Sequence, residues 1–251
     1  MIYEHHIAHH GIKIHYTTTI NPSSKSSKDA LPLIIVPGFT EDASDYSELM
    51  RRLLPKTSIA ISLRGRGASD APVIGYTLAD HMSDIEAVVQ DLGIGAFILF
   101  GFSRGASYAL GYALKHSEQI AGLILGDYPA RHTRLPESFV DYFTALPPWR
   151  GKTALQRMPL HAITQIQKES VEVSFLDDLS QTKWPLLIFK GEGRSAILTE
   201  EGVSDYLTAR SNAQILRVTD TGHDIFTSAV IDIPAAISDF IATSSIRNDL
   251  L

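Results

Sequence analysis

Apolar and polar residues alternate near the start of the chain and predict two strands. Apolar side chains recur at every second position from Ile12 to Tyr16, after a turn signal at Gly11, and Ile7 belongs to a similar run before it. Period-two spacing on both sides of a glycine is typical of a β-hairpin. Residues 21–29 are polar and serine-rich, which predicts a flexible loop between strands.

Short apolar runs then alternate with longer helical patterns. The runs are 33–36, 59–61, 97–100 and 123–125. Between them, 44–54 and 77–92 have helical spacing, and Thr77 with Asp80 forms a capping box for the second helix. Strands that are apolar on both faces and are joined through helices predict an α/β fold, with a mostly parallel central sheet and helices on both faces.

The alternation stops after Asp127 and resumes at the apolar run 186–189. The stretch between them is rich in prolines and scattered aromatic residues, which predicts a helical cap inserted at 128–183. The remaining predicted elements are a helix at 200–209, a strand at 214–218 and a last helix at 225–241. We expect a single domain over 1–251 that contains the cap.

Composition narrows the possible functions. The 251 residues are 44% hydrophobic and 20% charged, as in a globular protein, and 22 basic against 28 acidic residues give a net charge of −6. This charge argues against a nucleic-acid partner. No apolar run approaches the roughly 20 residues that span a bilayer, and no secretory signal is present, so we expect a cytoplasmic protein without membrane partners. The absence of cysteine excludes a thiol nucleophile and thiolate metal sites.

One motif predicts a nucleophile. Gly101-Phe102-Ser103-Arg104-Gly105 follows an apolar strand and precedes a helical pattern. This is the context of the nucleophile elbow, in which a serine occupies a strained strand-to-helix turn and small residues two positions away avoid clashes. The adjacent helix N-terminus favours developing negative charge.

A serine of ordinary pKa needs a base, and His223 is the natural candidate. It lies in Thr221-Gly222-His223-Asp224, between the last predicted strand and the final helix. Loops that follow parallel strands meet at one edge of the sheet, so we expect His223 to approach Ser103. An oxyanion hole is also needed, and Pro37-Gly38-Phe39 follows the first central strand. We expect it to be formed by the N–H groups of Phe39 and Arg104.

These motifs, with Gly222-His223 and the segment 63–70 (Leu-Arg-Gly-Arg-Gly-Ala-Ser-Asp), resemble the α/β-hydrolase superfamily from about residue 33 to residue 241. The resemblance implies a Ser-His-acid catalytic triad, a helical cap over the site, and hydrolysis of esters or related bonds with neither a metal nor an organic cofactor. A serine at position 103 also excludes the dehalogenase and epoxide hydrolase chemistry of relatives that carry aspartate there.

The acid of the triad departs from the common family pattern. Many relatives carry an aspartate in a GxxD motif after the strand that follows the cap, whereas this chain has Gly191-Glu192-Gly193-Arg194. An arginine cannot orient a histidine. Some family members place the acid at the end of the strand after the elbow helix, where this chain has Asp127. We favour Asp127, with Glu192 as the alternative acid.

Three further features have two interpretations each. The Arg104 side chain either contacts an anionic group of the substrate or pairs with a nearby carboxylate. The cap aromatics Phe139, Tyr142, Phe143 and Trp149 either line an apolar pocket or form the core of the cap. The histidines at positions 5, 6, 9 and 10 suggest a metal site, but neighbouring residues of a strand face opposite sides, so we expect no metal.

The sequence therefore predicts a carboxylesterase-like serine hydrolase with Ser103, His223 and Asp127 as catalytic residues and a small-molecule substrate, an ester, thioester or lactone. A C–C bond hydrolase or acyltransferase with the same triad is one alternative. A non-catalytic binding protein that retains the fold is the other. The sequence does not indicate the oligomeric state.

Overall fold

The computed structural model describes residues 1–20 and 31–248, and an eight-stranded sheet runs through this part of the chain. The predicted loop at 21–29 lies outside the described residues. The strands are β1 (Tyr3–His9), β2 (Ile12–Thr18), β3 (Leu33–Val36), β4 (Ser58–Ser62), β5 (Phe97–Phe102), β6 (Ile120–Gly126), β7 (Arg131–His132), β8 (Val173–Ser174), β9 (Leu186–Gly191) and β10 (Gln214–Val218). The order in the sheet is β1-β2-β4-β3-β5-β6-β9-β10, and β7 pairs with β8 separately.

The predicted fold class is confirmed. The strands from β4 to β10 in the sheet are parallel, and only the N-terminal hairpin joins in antiparallel fashion, through β1, β2 and β4. The helices are α1 (Ser47–Arg52), α2 (Leu78–Leu92), α3 (Arg104–Lys115), α4 (Phe139–Thr144), α5 (Ala154–Arg157), α6 (Leu160–Glu169), α7 (Leu176–Ser180), α8 (Glu200–Ala209) and α9 (Ile233–Asn248). No helix in the described residues is both long and apolar enough to cross a bilayer.

Alternate residues of the central strands build two cores on opposite faces of the sheet. Ile34 and Val36 of β3 pack in one cluster with residues of α2, α3 and α8. Leu33 and Ile35 pack in the other cluster with α1 and α9. Because successive side chains of a strand point to opposite faces, a strand buried on both faces must be apolar throughout. This is why the central strands read as continuous apolar runs.

Two helix predictions have different outcomes. The second helix begins as predicted. Thr77 Oγ1 accepts a hydrogen bond from the Asp80 N–H at 3.1 Å, and Asp80 Oδ2 accepts one from the Thr77 N–H. The predicted helix at 225–241 is wrong at its start, since only a 3₁₀ turn covers 225–227 and α9 begins at Ile233. Asp220 accepts N–H bonds across this turn and Asp232 caps α9, so the chain bends between the two carboxylates.

The segment between β6 and β9 contains α4 to α7 and the β7-β8 pair. We call residues 128–183 the cap segment. Its helices form a separate apolar cluster with Phe39 and Tyr76, which belong to loops at the carboxyl ends of β3 and β4. The cap segment therefore lies at the same edge of the sheet as the residues that follow the parallel strands.

Candidate active site

Ser103 occupies the sharp turn between β5 and α3. Its φ of 54° lies in a region that non-glycine residues rarely adopt. A Cβ at Gly105 would stand 2.2 Å from the Pro37 carbonyl oxygen, and one at Gly101 would stand 2.6 Å from Ala106 Cα. Glycine is thus required on both sides of a strained serine, which is the backbone arrangement of a nucleophile elbow.

His223 lies against Ser103 at the carboxyl edge of the sheet. Its Nε2 is 2.8 Å from Ser103 Oγ and its Nδ1 is 2.7 Å from Asp127 Oδ2. The ring stacks on Phe102 with 5.1 Å between centroids. Since a carboxylate only accepts, Nδ1 carries the proton and Nε2 is free to accept from the serine hydroxyl.

Asp127 is fully buried at the end of β6 and is held by backbone donors. Its carboxylate accepts the N–H of Ile197 at 2.8 Å, Gly191 at 3.2 Å and Leu198 at 3.4 Å. The strand register pairs Phe102 with Gly126, so Ser103 and Asp127, which follow them in the sequence, lie next to each other. These three N–H donors keep the carboxylate in one orientation.

Glu192, the alternative acid, lies elsewhere. It is exposed, and its carboxylate binds Arg217 Nη1 at 2.6 Å and Lys190 Nζ at 3.3 Å. The bond from Arg217 and the nearby Lys190 lower the pKa of Glu192. Because β10 pairs Arg217 beside Lys190, the side chain of Glu192 turns to these two cations, and Asp127 rather than Glu192 contacts His223.

The loop after β3 lies directly against the nucleophile. A Cβ at Gly38 would stand 3.3 Å from Ser103 Cβ. Arg104 is the first residue of α3, so its N–H has no acceptor within the helix. The buried Arg66 guanidinium donates to the Phe39 carbonyl at 2.7 Å, which fixes the next peptide of the loop. Gly38 and Arg104 thus border Ser103, and the N–H groups of Phe39 and Arg104 remain the expected oxyanion donors.

The Arg104 side chain turns away from Ser103 into a buried polar cluster. It donates to Tyr108 Oη at 3.1 Å, the Thr133 carbonyl at 3.2 Å and His132 Nε2 at 3.0 Å. Its partners in the described chain are neutral groups, so the expected pairing with a carboxylate is wrong. Burial and the Arg104 charge lower the pKa of His132 to about 3, which keeps that imidazole neutral as an acceptor.

A cavity of about 580 Å³ opens onto Ser103 and His223. Aromatic and apolar residues of the cap segment and neighbouring loops dominate its lining: Phe39, Phe139, Tyr142, Phe143, Leu146, Pro147, Pro148, Trp149 and Ile197. The described residues that line it include neither lysine nor arginine. Phe139 and Phe143 also contact the Phe39 ring, at 5.2 and 4.8 Å between centroids. Both interpretations of the cap aromatics therefore apply.

The N-terminal histidines are spread along the hairpin. His5 stacks on Tyr16, His6 lies beside His15, and His9 bonds to Ser83. Across residues 1–20 and 31–248, no group of three or more His, Asp or Glu side chains is arranged to hold a metal ion.

The sequence profile of the α/β-hydrolase fold family matches residues 32–224. The chain belongs to this family. The α/β-hydrolase fold accounts for the parallel sheet, the serine on the turn after β5 and the histidine after the last strand. The serine and the histidine meet at the carboxyl edge of this sheet.

Individual relatives are distant. The chain is 25% identical over 236 residues to N-formylmaleamate deformylase of Pseudomonas putida, a match that covers 83% of this chain and 88% of the deformylase. It is 32% identical over 111 residues to 2-(acetamidomethylene)succinate hydrolase of Mesorhizobium japonicum, a match that covers 44% of this chain and only 39% of that hydrolase. The crystal structure of an esterase from Exiguobacterium antarcticum is similar in fold, with a TM-score of 0.73 at 20% identity over 94% of this chain and 96% of the esterase.

The sequence analysis missed two cavity residues of the α/β hydrolase. Glu41 is 2% exposed and accepts the Gly38 N–H at 3.0 Å. A carboxylate three positions after a glycine turn is a usable local signal for such a contact. Ser195 also lines the cavity, and its Oγ accepts the His223 N–H at 3.3 Å. Nothing in the local sequence indicates that contact, because it joins positions 28 residues apart.

Proposed function

We propose that this chain is a serine hydrolase that cleaves carboxylic esters, including thioesters or lactones, through an acyl-enzyme. The observation that carries the proposal is the hydrogen-bonded series from Asp127 through His223 to Ser103, with contacts of 2.7 and 2.8 Å. Nucleophile, base and orienting acid in this order are the requirements for activating a hydroxyl.

The proposed reaction begins when Ser103 Oγ bonds to the substrate carbonyl carbon. The hydroxyl proton moves to His223 Nε2, and the carbonyl electron pair becomes an oxyanion bound by the N–H groups of Phe39 and Arg104. Asp127 keeps Nδ1 protonated and stabilises the imidazolium. The C–O bond then breaks, and His223 donates its proton to the departing alcohol. Water, activated by the same histidine, releases the acid and restores Ser103.

The lining of the cavity favours an uncharged substrate with an apolar group. Aromatic residues line the cavity beside the nucleophile, and the described lining includes neither a lysine nor an arginine that could pair with a substrate carboxylate. The names of the two sequence relatives specify a succinate and a maleamate as substrates. We expect this chain to differ from them, because an unpaired carboxylate in an apolar cavity is costly.

The domain organisation is part of the proposal. One domain over 1–251 would contain the cap segment as an inserted lid, whose helices cover the cavity. Its partner is the small-molecule substrate, and the cytoplasmic location stays a prediction.

An amide substrate is a second candidate, since the deformylase match covers most of both chains. C–C hydrolysis and acyl transfer would use the same residues. Turnover of matched ester, amide and ketone substrates, with and without an alcohol acceptor, separates these reactions. A non-catalytic binding protein would turn over none of them.

The test is a panel of p-nitrophenyl esters that pairs neutral acyl chains with chains ending in a carboxylate. Neutral esters should be hydrolysed with kcat/KM at least about 100-fold above the anionic ones, which corresponds to nearly 3 kcal/mol of lost transition-state binding. Ser103→Ala should abolish both activities. A preference for the anionic esters would refute the substrate class, and turnover that survives Ser103→Ala would refute the mechanism.

A further inference from the structure

Glu41 joins three parts of the site through a single buried carboxylate. It lies in the loop between β3 and α1 and is 2% exposed. A buried carboxylate is costly unless it is paired and hydrogen-bonded. Its contacts therefore indicate what the residue does in this molecule.

One oxygen of Glu41 holds the loop beside the nucleophile. Oε2 accepts the Gly38 N–H at 3.0 Å and the Tyr46 hydroxyl at 2.7 Å. A Cβ at Gly38 would stand 2.9 Å from this oxygen and 3.3 Å from Ser103 Cβ. The peptide that Glu41 binds is thus wedged between the carboxylate and the nucleophile. It directly precedes the peptide whose N–H, that of Phe39, is the expected oxyanion donor.

The other oxygen binds the cap segment. Oε1 accepts the Trp149 indole N–H at 3.1 Å and pairs with Arg150 Nη1 at 3.1 Å. Arg150 also binds Asp224, the residue after His223, at 2.7 Å. Burial opposes the charged form of Arg150, but the bond to Asp224 and the Glu41 charge outweigh it and raise the pKa of Arg150. The guanidinium therefore remains a cation between the two carboxylates.

The four contacts leave Glu41 poorly suited to bind a substrate. Each oxygen has two partners, which is close to its full capacity. Although Glu41 lines the cavity, both oxygens of its carboxylate are already bound by groups of the protein. Any effect of Glu41 on catalysis would therefore act through the groups that its carboxylate holds.

We propose that Glu41 is a positioning residue that links the seating of Trp149 and Arg150 of the cap segment to the orientation of the Gly38-Phe39 backbone in the oxyanion hole. The inference rests on the proposed hydrolase function. When the cap segment is seated, the carboxylate is fixed on its Oε1 side and holds the loop on its Oε2 side. When these cap contacts are lost, the Phe39 donor loses alignment and the transition state is stabilised less, while the ground-state pocket is little changed.

The test compares Glu41→Gln with Glu169→Gln on a neutral p-nitrophenyl ester. The amide of Glu41→Gln keeps a carbonyl oxygen for Gly38 and Tyr46, but its NH₂ faces two donors of the cap segment. Glu169 is the matched control, because its carboxylate also joins the cap segment to the core, through the N–H groups of Gly75 and Tyr76 at 3.2 and 2.6 Å.

We expect Glu41→Gln to lower kcat by about 10- to 100-fold and to change KM by less than about threefold. This loss in kcat is smaller than the roughly 10²- to 10³-fold loss that follows the deletion of an oxyanion donor. Affinity for a trifluoromethyl ketone, whose adduct on Ser103 carries an oxyanion, should fall by the same factor as kcat/KM. Glu169→Gln should keep kcat within about twofold of the wild type.

Equal losses in the two variants, or an unchanged kcat and ketone affinity in Glu41→Gln, would overturn the inference. Trp149→Phe keeps an aromatic ring at this position but removes the indole N–H that binds Glu41, and it provides the same comparison if Glu41→Gln does not fold. It should lower kcat by about fivefold, and an unchanged kcat would count against the inference.

A wild-type chain without Ser103-dependent turnover would overturn the proposed function and this inference together. An active wild type with an unaffected Glu41→Gln would overturn the inference alone.

Discussion

Asp127→Asn replaces one carboxylate oxygen by an NH₂ group where every neighbour is a donor. The carboxylate accepts three backbone N–H groups and His223 Nδ1. An asparagine has a single acceptor oxygen, so its NH₂ meets either the imidazole or a backbone donor. The native φ of 46° adds little strain, because asparagine tolerates the left-handed region. The substitution therefore tests hydrogen bonding rather than backbone conformation.

The expected effect is much larger on catalysis than on stability. An NH₂ beside Nδ1 favours the tautomer with the proton on Nε2, which cannot accept from Ser103. The wrong tautomer costs about 10⁴ in kcat, or roughly 5.5 kcal/mol of transition-state stabilisation. One unsatisfied backbone donor costs about 1–3 kcal/mol of folding free energy. The variant should thus fold with a lowered melting temperature and be nearly inactive.

The assay measures kcat on a neutral p-nitrophenyl ester, with urea unfolding in parallel. Glu192→Gln is the control. Its carboxylate binds exposed Arg217 rather than His223, so kcat should stay within about twofold of the wild type. The reasoning is refuted if Asp127→Asn retains kcat within about tenfold of the wild type, or if Glu192→Gln shows the larger loss.

Three further predictions concern the fold around the site. Gly105→Ala should prevent folding to an active state, seen as a loss of near-UV circular dichroism, because its Cβ would stand 2.2 Å from the Pro37 oxygen; a folded, active variant would contradict this. Asp84→Asn should lower the urea-unfolding free energy by about 3 kcal/mol, since buried Arg64, 2.6 Å away, loses its main counter-charge; a loss below about 1 kcal/mol would refute it. The pKa of His132 is about 3 in the folded chain and about 6.5 when unfolded, so the unfolded state binds more protons between these values. Stability should fall by about 2 kcal/mol from this group between pH 7 and pH 5, and His132→Gln should show a correspondingly shallower pH dependence in urea unfolding; an equal slope would count against it.

Local patterns were sufficient for the sheet and for several motifs. The helix that begins at the capping box, the glycines around Ser103 and the position of His223 after β10 are all set by short-range rules of periodicity, steric size and chain order. The start of α9 was missed because Asp220 and Asp232 bend the chain through specific side-chain contacts. Hydrophobic periodicity alone does not register such contacts.

Contacts between residues far apart in the chain limit how much of the site can be predicted from the sequence. Asp127 and His223 are 96 positions apart, and Glu41 and Trp149 are 108 apart, so neither pair has a local signature. The choice between Asp127 and Glu192 stayed open in the sequence, because both follow strands at the same edge of the sheet. The difference arises from Arg217 and Lys190, which bind Glu192 only after β9 and β10 pair.

The central claim is that Ser103 is an activated nucleophile. The most direct measurement is reaction with a fluorophosphonate probe followed by peptide mass spectrometry. The account predicts stoichiometric modification of the peptide that carries Ser103, and no modification in Ser103→Ala or in chain unfolded before the probe is added. An unmodified Ser103 in folded wild-type chain, with a known serine hydrolase labelled in the same reaction, would contradict it.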